Sequence, residues 1–345
     1  MKVPRGNGTQ GEGTGTPLPK ETLDILNAVD FSGKTILVTG TTHGLGEAIS
    51  KHVLIRKVDR LIMGVRNVPR GEQVKRQLLS DPAVVAAKPN AKIDVFELEM
   101  EDYKSVQAFA ARVYETTPAL DVAIMNAGVG GAEYRRAKST NHEKILQINL
   151  LSTAYLAIKL VPLLEKAAAS NNGPGRLVLV GSYRQFESEI AEKKLTRKII
   201  EYLDEKEKFD PIRRYNDVKL LLGLVTKELA SRLDKSKVVV VEPTPTWTWS
   251  NFGSSYPDGP GKDWAFQVLK ERGLSSEDAA LHYLVAIDGD DDVHGQFLDD
   301  NTIAPRHPYT STSEGEILQR ELWKDLVEEF RKFDASISTV SVVNQ

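Results

Sequence analysis

The sequence predicts an α/β protein built on a doubly wound parallel sheet of about seven strands, with helices on both faces. Short runs of β-branched residues alternate with longer stretches of helical periodicity from Gly33 onward. The first strand runs directly into a glycine-rich turn that opens a helix. Neither an internal repeat nor a clear boundary divides the chain, so we expect a single domain.

Composition limits the classes of partner. The 345 residues carry a formal net charge of −3 although 27% are charged, which gives no electrostatic reason to expect nucleic acid or an anionic membrane. With no cysteine and no histidine in metal-ligand spacing, we predict neither disulfides nor a metal site. The N-terminus lacks an apolar signal segment, and polar residues interrupt the apolar stretch 145–164. We therefore predict a cytoplasmic protein without a membrane span.

The elements are predicted in order along the chain. Residues 1–18, rich in Gly, Thr and Pro, are expected to be a disordered extension, and 336–345 a flexible tail. The domain is expected to occupy 19–335. Its strands are predicted at the short runs of apolar and β-branched residues, 35–39, 60–65, 92–98, 121–125, 176–181, 237–242 and 294–299.

Two segments depart from this alternation. Residues 183–214 are strongly charged, and 243–272 are rich in proline, glycine and aromatic residues. Both are predicted to be insertions around a site rather than parts of the sheet. For 183–214 we predict part of a substrate wall or a partner surface, with a solvated helical excursion as the equal alternative.

The turn after the first strand, TGTTHGLGEAI, carries glycines at 40, 44 and 46. Glycine permits a tight turn and a close approach of the backbone to a pyrophosphate. The following helix N-terminus offers free N–H groups and the positive end of its dipole. The turn therefore predicts a Rossmann-type dinucleotide site, the alternative being a glycine turn without chemical use.

The end of the second strand bears on which dinucleotide binds. NAD-selective sites place a carboxylate about 20 residues after the glycine turn, where it holds the ribose 2′-hydroxyl. Here Arg66 and Asn67 occupy that place without an acid beside them. A guanidinium suits a 2′-phosphate, and His43 could add a donor, so NADP(H) is predicted over NAD(H). The alternative is that Arg66 is a solvated loop residue.

Five motifs occur in a fixed order between Thr35 and about Phe297. They are a T-G-x-x-x-G-x-G turn (Thr39, Gly40, Gly44, Gly46), an N-A-G (Asn126, Ala127, Gly128), a helical Asn149, a strand-ending Ser182, and a Y-x-x-x-K pair (Tyr215, Lys219). In this order they resemble the short-chain dehydrogenase/reductase family, in its compact single-domain branch. The C-terminal part is also similar to retinol-dehydrogenase-like and fungal secondary-metabolism members.

The residue types of the last motifs predict acid–base chemistry. A tyrosine with a pKa near ~10 is a weak acid at neutral pH, and the lysine four residues later lies on the same helix face. The ammonium of Lys219 is expected to lower the pKa of Tyr215, so that Tyr215 protonates a developing alkoxide as hydride arrives. Ser182 can donate to the substrate oxygen. The resemblance implies that Asn149 holds a water that connects Lys219 to solvent.

The resemblance also implies further cofactor contacts, some at positions that depart from the family pattern. They include Leu45 in the glycine turn, Tyr215 and Lys219. Glu99, with Met100, stands where Asp commonly contacts adenine. The family's P-G turn is aligned as Pro245-Thr246, with Ser250 at the Thr position, and the neighbouring Pro243 leaves this alignment open by two residues.

Aromatic residues after the sixth strand predict the substrate side. Loops at the carboxyl ends of strands frame the ligand crevice of a doubly wound fold. Trp247, Trp249 and Phe252 are therefore predicted to belong to a lid over a bulky, mostly apolar substrate, the alternative being helix-to-sheet packing.

These features predict an NADP(H)-dependent oxidoreductase that interconverts a ketone or aldehyde and an alcohol, possible substrates including secondary-metabolite intermediates. The alternatives are a non-redox enzyme of the same fold, for dehydration, epimerisation or cyclisation, and an NADP-binding regulator without turnover. The apolar helix 145–164 predicts either a homodimer face or a buried helix of a monomer.

Overall fold

A single β-sheet runs through the centre of the part of the chain that the structure describes. The computed structural model describes residues 1–6, 15–170, 173–195, 198–250, 252, 256 and 258–344. The strands are β1 Thr35–Thr39, β2 Arg60–Val65, β3 Lys92–Glu97, β4 Val122–Met125, β5 Gly175–Leu179, β6 Val238–Pro243, β7 Gln296–Asp299 and β8 Thr302–Ala304. Their order is β3-β2-β1-β4-β5-β6-β7-β8, and only the β7–β8 pair is antiparallel.

Helices occupy most of the connections between strands. They are α1 Lys20–Ala28, α2 Gly44–Ile55, α3 Val68–Ser80, α4 Pro82–Ala87, α5 Tyr103–Thr116, α6 Lys144–Leu146, α7 Thr153–Ala169, α8 Ile190–Lys193, α9 Ile199–Asp204, α10 Arg214–Arg232, α11 Pro260–Arg272, α12 Ser276–Asp288, α13 Ser313–Arg331 and α14 Ser341–Asn344. A π-helical turn, Gln147–Ser152, joins α6 to α7, and short 3₁₀ helices are found at Tyr183–Glu187, Lys206–Lys208, Asp291–Val293, Pro308–Ser311 and Ala335–Thr339.

The sheet is buried on both faces, because successive side chains of a strand point to opposite sides. In β1, Leu37 belongs to a core shared with α5, α7, α10 and α13. Its neighbours Ile36 and Val38 belong to a second core with α1, α2, α3 and α12. The strand order reverses between β1 and β4, which places the ligand crevice of such a sheet at the carboxyl ends of these strands.

This architecture confirms the predicted Rossmann-type, doubly wound α/β fold. The edge strand β8 was not predicted, because a strand of three residues is too short to show a recognisable sequence pattern. It follows β7 through a two-residue turn at Asp300 and Asn301, both with positive φ (45° and 63°), as a tight hairpin turn requires.

Parts of both chain ends differ from the predicted disorder. Residues 7–14 and Gln345 lie outside the described residues. The Met1 ammonium pairs with Asp288 at 3.2 Å, and Val3 is buried beside the sheet. At the other end Ile337 and Val342 are fully buried. A few buried apolar residues hold each segment to the core. The sequence did not predict this packing, because the residues around them are mostly polar.

The C-terminal segment covers the apolar helix from which a dimer face was predicted. Lys144–Ala169 is long and apolar enough to cross a membrane, yet 89% of its apolar window is buried inside the protein. Helix α14 packs on α7, and α13 packs on α10. The apolar pattern is thus explained by packing within the chain, and a homodimer stays a prediction.

The charged segment 183–214 packs on the core through its few apolar residues. Ile190, Ile199 and Leu203 are fully buried, and α9 contacts α13. Residues 196 and 197 lie outside the described residues. The described part of 190–204 therefore packs on the core, because these apolar side chains turn inward between charged neighbours, whereas 205–208 and 210–212 are exposed.

A histidine bridge holds this segment to the C-terminal helix. His142 Nδ1 lies 2.6 Å from an Asp204 oxygen, and Nε2 lies 2.9 Å from Glu329 Oε1. Burial lowers the pKa of His142, but the two carboxylates outweigh burial and raise it to about 9. A protonated imidazolium therefore joins α9 to α13 just before the helix that carries Asn149.

Stability is expected to fall at alkaline pH because of this bridge. The folded-state pKa lies above the unfolded value, so the stabilisation is complete below about pH 6.5 and is lost as pH rises through about 9. Relative to His142→Gln, the wild type should lose about 3 kcal/mol of unfolding free energy between pH 6.5 and 10. Urea unfolding at several pH values measures this, with His43→Gln as an exposed control. Parallel pH curves for wild type and His142→Gln would contradict the bridge.

Candidate active site

The glycine turn is tightly packed against the sheet. Gly40 and Gly44 have positive φ, 74° and 59°, a region that favours glycine. A Cβ on Gly46 would lie 2.1 Å from the Gly40 carbonyl oxygen, so no side chain fits there. His43 precedes α2 without capping it through its side chain. The first N–H groups of α2 therefore have no side-chain cap, which suits an anionic ligand.

The N-A-G motif connects β4 to this turn. The Asn126 amide donates to the Thr39 carbonyl at 2.9 Å, and the Ala127 N–H donates to the Thr39 hydroxyl at 2.9 Å. A Cβ on Gly128 would touch Asn149 Oδ1 at 3.4 Å. These bonds hold the ends of β1 and β4 together at the crevice.

Asn149 lies in the π-helical turn, 2% exposed. Its side-chain amide bonds both backbone groups of Val129: Oδ1 accepts from the N–H at 2.9 Å, and Nδ2 donates to the carbonyl at 2.8 Å. The side chain is thus occupied in holding the loop after β4. A π turn disturbs the regular helical hydrogen bonds, and such turns are frequent at functional sites.

Ser182, Tyr215 and Lys219 come together at the carboxyl end of β5. Ser182 lies beside the Tyr215 phenol and acts to lower its pKa, and the Ser182 hydroxyl accepts from the Arg184 N–H at 3.2 Å. Lys219 Nζ donates to the Val180 carbonyl at 2.7 Å and lies 5.6 Å from the centre of the Tyr215 ring. The sequence had placed these residues in one site, and the structure brings them together.

The electrostatics differ from expectation at one point. Burial raises the pKa of the Tyr215 phenol above its ordinary value, and Ser182 and Arg184 oppose the shift. Burial also lowers the pKa of Lys219 to about 8, against the attraction of Glu242. The predicted lowering of the Tyr215 pKa by Lys219 is not seen here, because Nζ is directed at the Val180 carbonyl.

The residues predicted for the adenosine half lie at the crevice edge. Arg66, Asn67 and His43 are exposed, and Asn67 Oδ1 caps α3 by accepting from the Arg70 N–H at 2.9 Å. Glu99 Oε1 accepts from the Glu101 N–H at 3.0 Å, so its carboxylate is turned toward its own backbone. Leu45 is half-buried and Met100 is buried.

The turn after β6 contains a strained threonine. Pro243 belongs to the strand, and Thr246 has a positive φ of 57°, a conformation that favours glycine. This matches the alignment of Pro245-Thr246 with the family's P-G turn. Ser250 is exposed and accepts from the Phe252 N–H at 3.3 Å.

Aromatic side chains of segment 243–272 lie against the catalytic residues. The Phe252 ring is 4.8 Å from the Tyr215 ring, edge to face, and Trp247 is 5.4 Å from Tyr183. Trp249 instead packs on Phe266 at 5.6 Å, away from these residues and 40% exposed. Residues 251, 253–255 and 257 of this segment lie outside the described residues.

Three neighbours of the site, Arg184, Glu242 and Arg306, were not predicted from the sequence. Arg184 acts electrostatically on Tyr215, as does Tyr256, one of the aromatic residues after the sixth strand. Glu242 and Arg306 form a buried ion pair of 2.7 Å behind Lys219. The sequence could have indicated a role for Glu242, because it is a single carboxylate at the end of the valine-rich strand VVVVE. The stretch APRHP gives no such indication for Arg306.

A glycine turn at the switch point and a tyrosine–lysine–serine site at the same sheet edge together define a dinucleotide-binding dehydrogenase as the class of protein. The family model for short chain dehydrogenases matches residues 34–192. Short chain dehydrogenase yanD of Aspergillus niger is 34% identical over 314 residues, 89% of this chain and 94% of that protein. The chain belongs to the short chain dehydrogenase family, a family of oxidoreductases that bind a nicotinamide cofactor.

Other similar proteins agree with this placement. Short-chain dehydrogenase/reductase tropG of Talaromyces stipitatus is 32% identical over 322 residues, 92% of this chain and 94% of that protein. Among solved structures, the NADPH-bound carbonyl reductase from chicken fatty liver superposes with a TM-score of 0.58 at 17% identity, covering 79% of this chain and 98% of that one. At this identity the structural likeness shows the fold alone.

Proposed function

We propose that the protein is an NADP(H)-dependent reductase that interconverts a ketone or aldehyde and an alcohol on a bulky, mostly apolar small molecule. The observation that carries the proposal is the contact of Ser182 with Tyr215 beside Lys219, at the sheet edge where the glycine turn lies. In this proposal residues 19–335 form one cofactor-binding domain in the cytoplasm, with 243–272 as its substrate lid.

The glycine turn fits a dinucleotide. A Cβ on Gly40 would meet Ala127 Cα at 3.0 Å, and none fits on Gly46, so the turn needs glycine at both positions. In the proposal the uncapped N–H groups of α2 hold the pyrophosphate, and Arg66 binds the 2′-phosphate with His43 nearby. Leu45, Met100, Asn126, Ala127 and Gly128 line the remaining cofactor path.

The catalytic residues each receive one role. The bound nicotinamide supplies or accepts the hydride. Ser182 donates a hydrogen bond to the substrate oxygen and fixes it near the Tyr215 hydroxyl. Tyr215, whose pKa burial raises above its ordinary value, is protonated at neutral pH and can give its proton to an alkoxide, which is the stronger base. Lys219 restores that proton, and the Asn149 turn holds the loop that encloses the site.

The substrate proposal rests on the lid. Phe252 and Trp247 present aromatic surface to Tyr215 and Tyr183, so an extended apolar or aromatic molecule is favoured next to the reacting oxygen. The resemblance of the C-terminal part to fungal secondary-metabolism members supports a substrate from secondary metabolism. Screening bulky ketones and aldehydes for NADPH consumption tests this, and turnover of small hydrophilic aldehydes only would contradict it.

Cofactor choice is expected to depend on Arg66. NADPH should bind roughly 10–100-fold more tightly than NADH, because a charge-assisted hydrogen bond contributes about 1.5–3 kcal/mol. Arg66→Gln should remove this preference and leave NADH affinity unchanged. Titration of tryptophan fluorescence with each cofactor measures it, with Arg320→Gln, an exposed arginine on α13, as the matched control. Equal affinities of the wild type for both cofactors would refute the assignment.

A further inference from the structure

A buried cluster of polar side chains lies behind the catalytic residues. Glu242, the penultimate residue of β6, and Arg306, which follows β8, form an ion pair of 2.7 Å. The Glu242 side chain is fully buried, and that of Arg306 is 8% exposed. Gln185 belongs to the same cluster, since a Cβ on Gly223 of α10 would lie within 3.6 Å of all three side chains.

The cluster contacts the backbone that carries the site. A Cβ on Gly181 would lie 2.5 Å from Glu242 Oε1, so the carboxylate packs directly on this glycine. Gly181 stands between Val180, whose carbonyl accepts from Lys219 Nζ, and Ser182. Its N–H donates to the Pro243 carbonyl at 2.9 Å, next to Glu242 in the strand. The absence of a side chain at position 181 thus gives the carboxylate its place beside the catalytic backbone.

We propose that Glu242 and Arg306 are positioning residues for the reaction: the carboxylate keeps Lys219 protonated, and the guanidinium keeps the carboxylate in place. The proposal rests on the function proposed above, in which Lys219 returns the proton to Tyr215. It extends that function to a pair of residues that touch neither substrate nor cofactor.

Two opposing effects set the pKa of Lys219. From β6, Glu242 attracts the ammonium, while burial alone favours the neutral amine. Arg306 and Lys219 both favour the ionised form of Glu242 against its burial. On α10 itself, Tyr215 lies one turn before Lys219, and Lys227, two turns after it, faces Arg306. Removing Arg306 favours the protonated form of Glu242, so the loss of either partner should lower the pKa of Lys219.

The test is direct titration of Lys219 in the whole protein, followed by NMR of ¹³Cε-labelled lysine and assigned with Lys219→Arg. The wild-type midpoint is expected near pH 8. Glu242→Gln should lower it by about one pH unit, because the attracting anion is lost, and Arg306→Gln should also lower it, because the buried carboxylate then takes up a proton. Glu228→Gln, which removes a buried carboxylate facing Arg232 on the same helix, should leave the midpoint unchanged.

A lowered midpoint in both variants supports the pair, whereas an unchanged or raised midpoint in either variant overturns the proposal. A purely structural role predicts loss of melting temperature without these shifts. If Glu242→Gln does not fold, the sign of the shift in Arg306→Gln decides alone. The titration needs neither substrate nor cofactor, so its result is independent of whether the proposed reductase function is correct.

Discussion

Tyr215→Phe is expected to lower kcat by about 10²–10⁴-fold while NADPH still binds, because a positioned general acid contributes that factor. The phenol oxygen is the group that meets Ser182, whereas the ring, in contact with Phe252, is retained by phenylalanine. The packing of the site should therefore survive the substitution. Initial rates with an accepted ketone or aldehyde, and fluorescence titration with NADPH, measure the two effects separately.

The matched control is Tyr309→Phe, which removes a second buried phenol far along the chain, in the 3₁₀ turn Pro308–Ser311. Its rate should stay within about twofold of the wild type, because surrounding packing is kept. The two alternative functions predict different results from these experiments. An NADP-binding regulator shows no turnover to lose, and a non-redox enzyme of this fold consumes its substrate without a change in NADPH absorbance.

Most of the sheet was predictable because its strands are continuous apolar runs. The segments TILVT and RLIMGV coincide with β1 and β2, and the glycine turn follows β1 as the motif requires. The site was predictable for a similar reason. In a doubly wound fold the loops after β4, β5 and β6 reach one edge, which brings Ser182 to the crevice, whereas Tyr215, beyond the insertion 183–214, was placed there by the resemblance to the family's motifs.

The remaining features depend on contacts between distant parts of the chain. Glu242 ends an ordinary-looking valine strand, and nothing in its neighbourhood indicates that Arg306 will pair with it. The C-terminal residues Ile337 and Val342 stand in a polar, serine-rich stretch, and they are buried because this stretch packs on α13 and α7. The pKa shift of Tyr215 could not be predicted from the sequence either, because it is caused by burial, which is a property of the folded chain.

Arg214→Met is expected to cost about 3–5 kcal/mol of unfolding free energy, because it leaves a buried charge without its partner. Arg214 precedes the catalytic tyrosine and is 1% exposed, with Nη1 at 3.7 Å from the fully buried Glu143. Its Nη2 donates to the Lys208 carbonyl at 3.1 Å, and its guanidinium lies 5.4 Å from the centre of the Phe209 ring. Its Nη1 also donates to the Leu203 carbonyl, so the substitution leaves this buried carbonyl without its donor.

The same residue connects two halves of the site, which is why its loss should exceed that of an ordinary ion pair. Glu143 accepts from the N–H groups of Ile145 and Leu146, at 2.9 and 3.0 Å, and so begins the helix that leads to Asn149. Arg214 begins the helix that carries Tyr215. Arg213→Met removes the neighbouring, exposed arginine, whose pair with Glu189 should contribute less than about 1 kcal/mol. Urea unfolding of both variants distinguishes the two positions, and an equal loss in each would show that Arg214 does not link these helices.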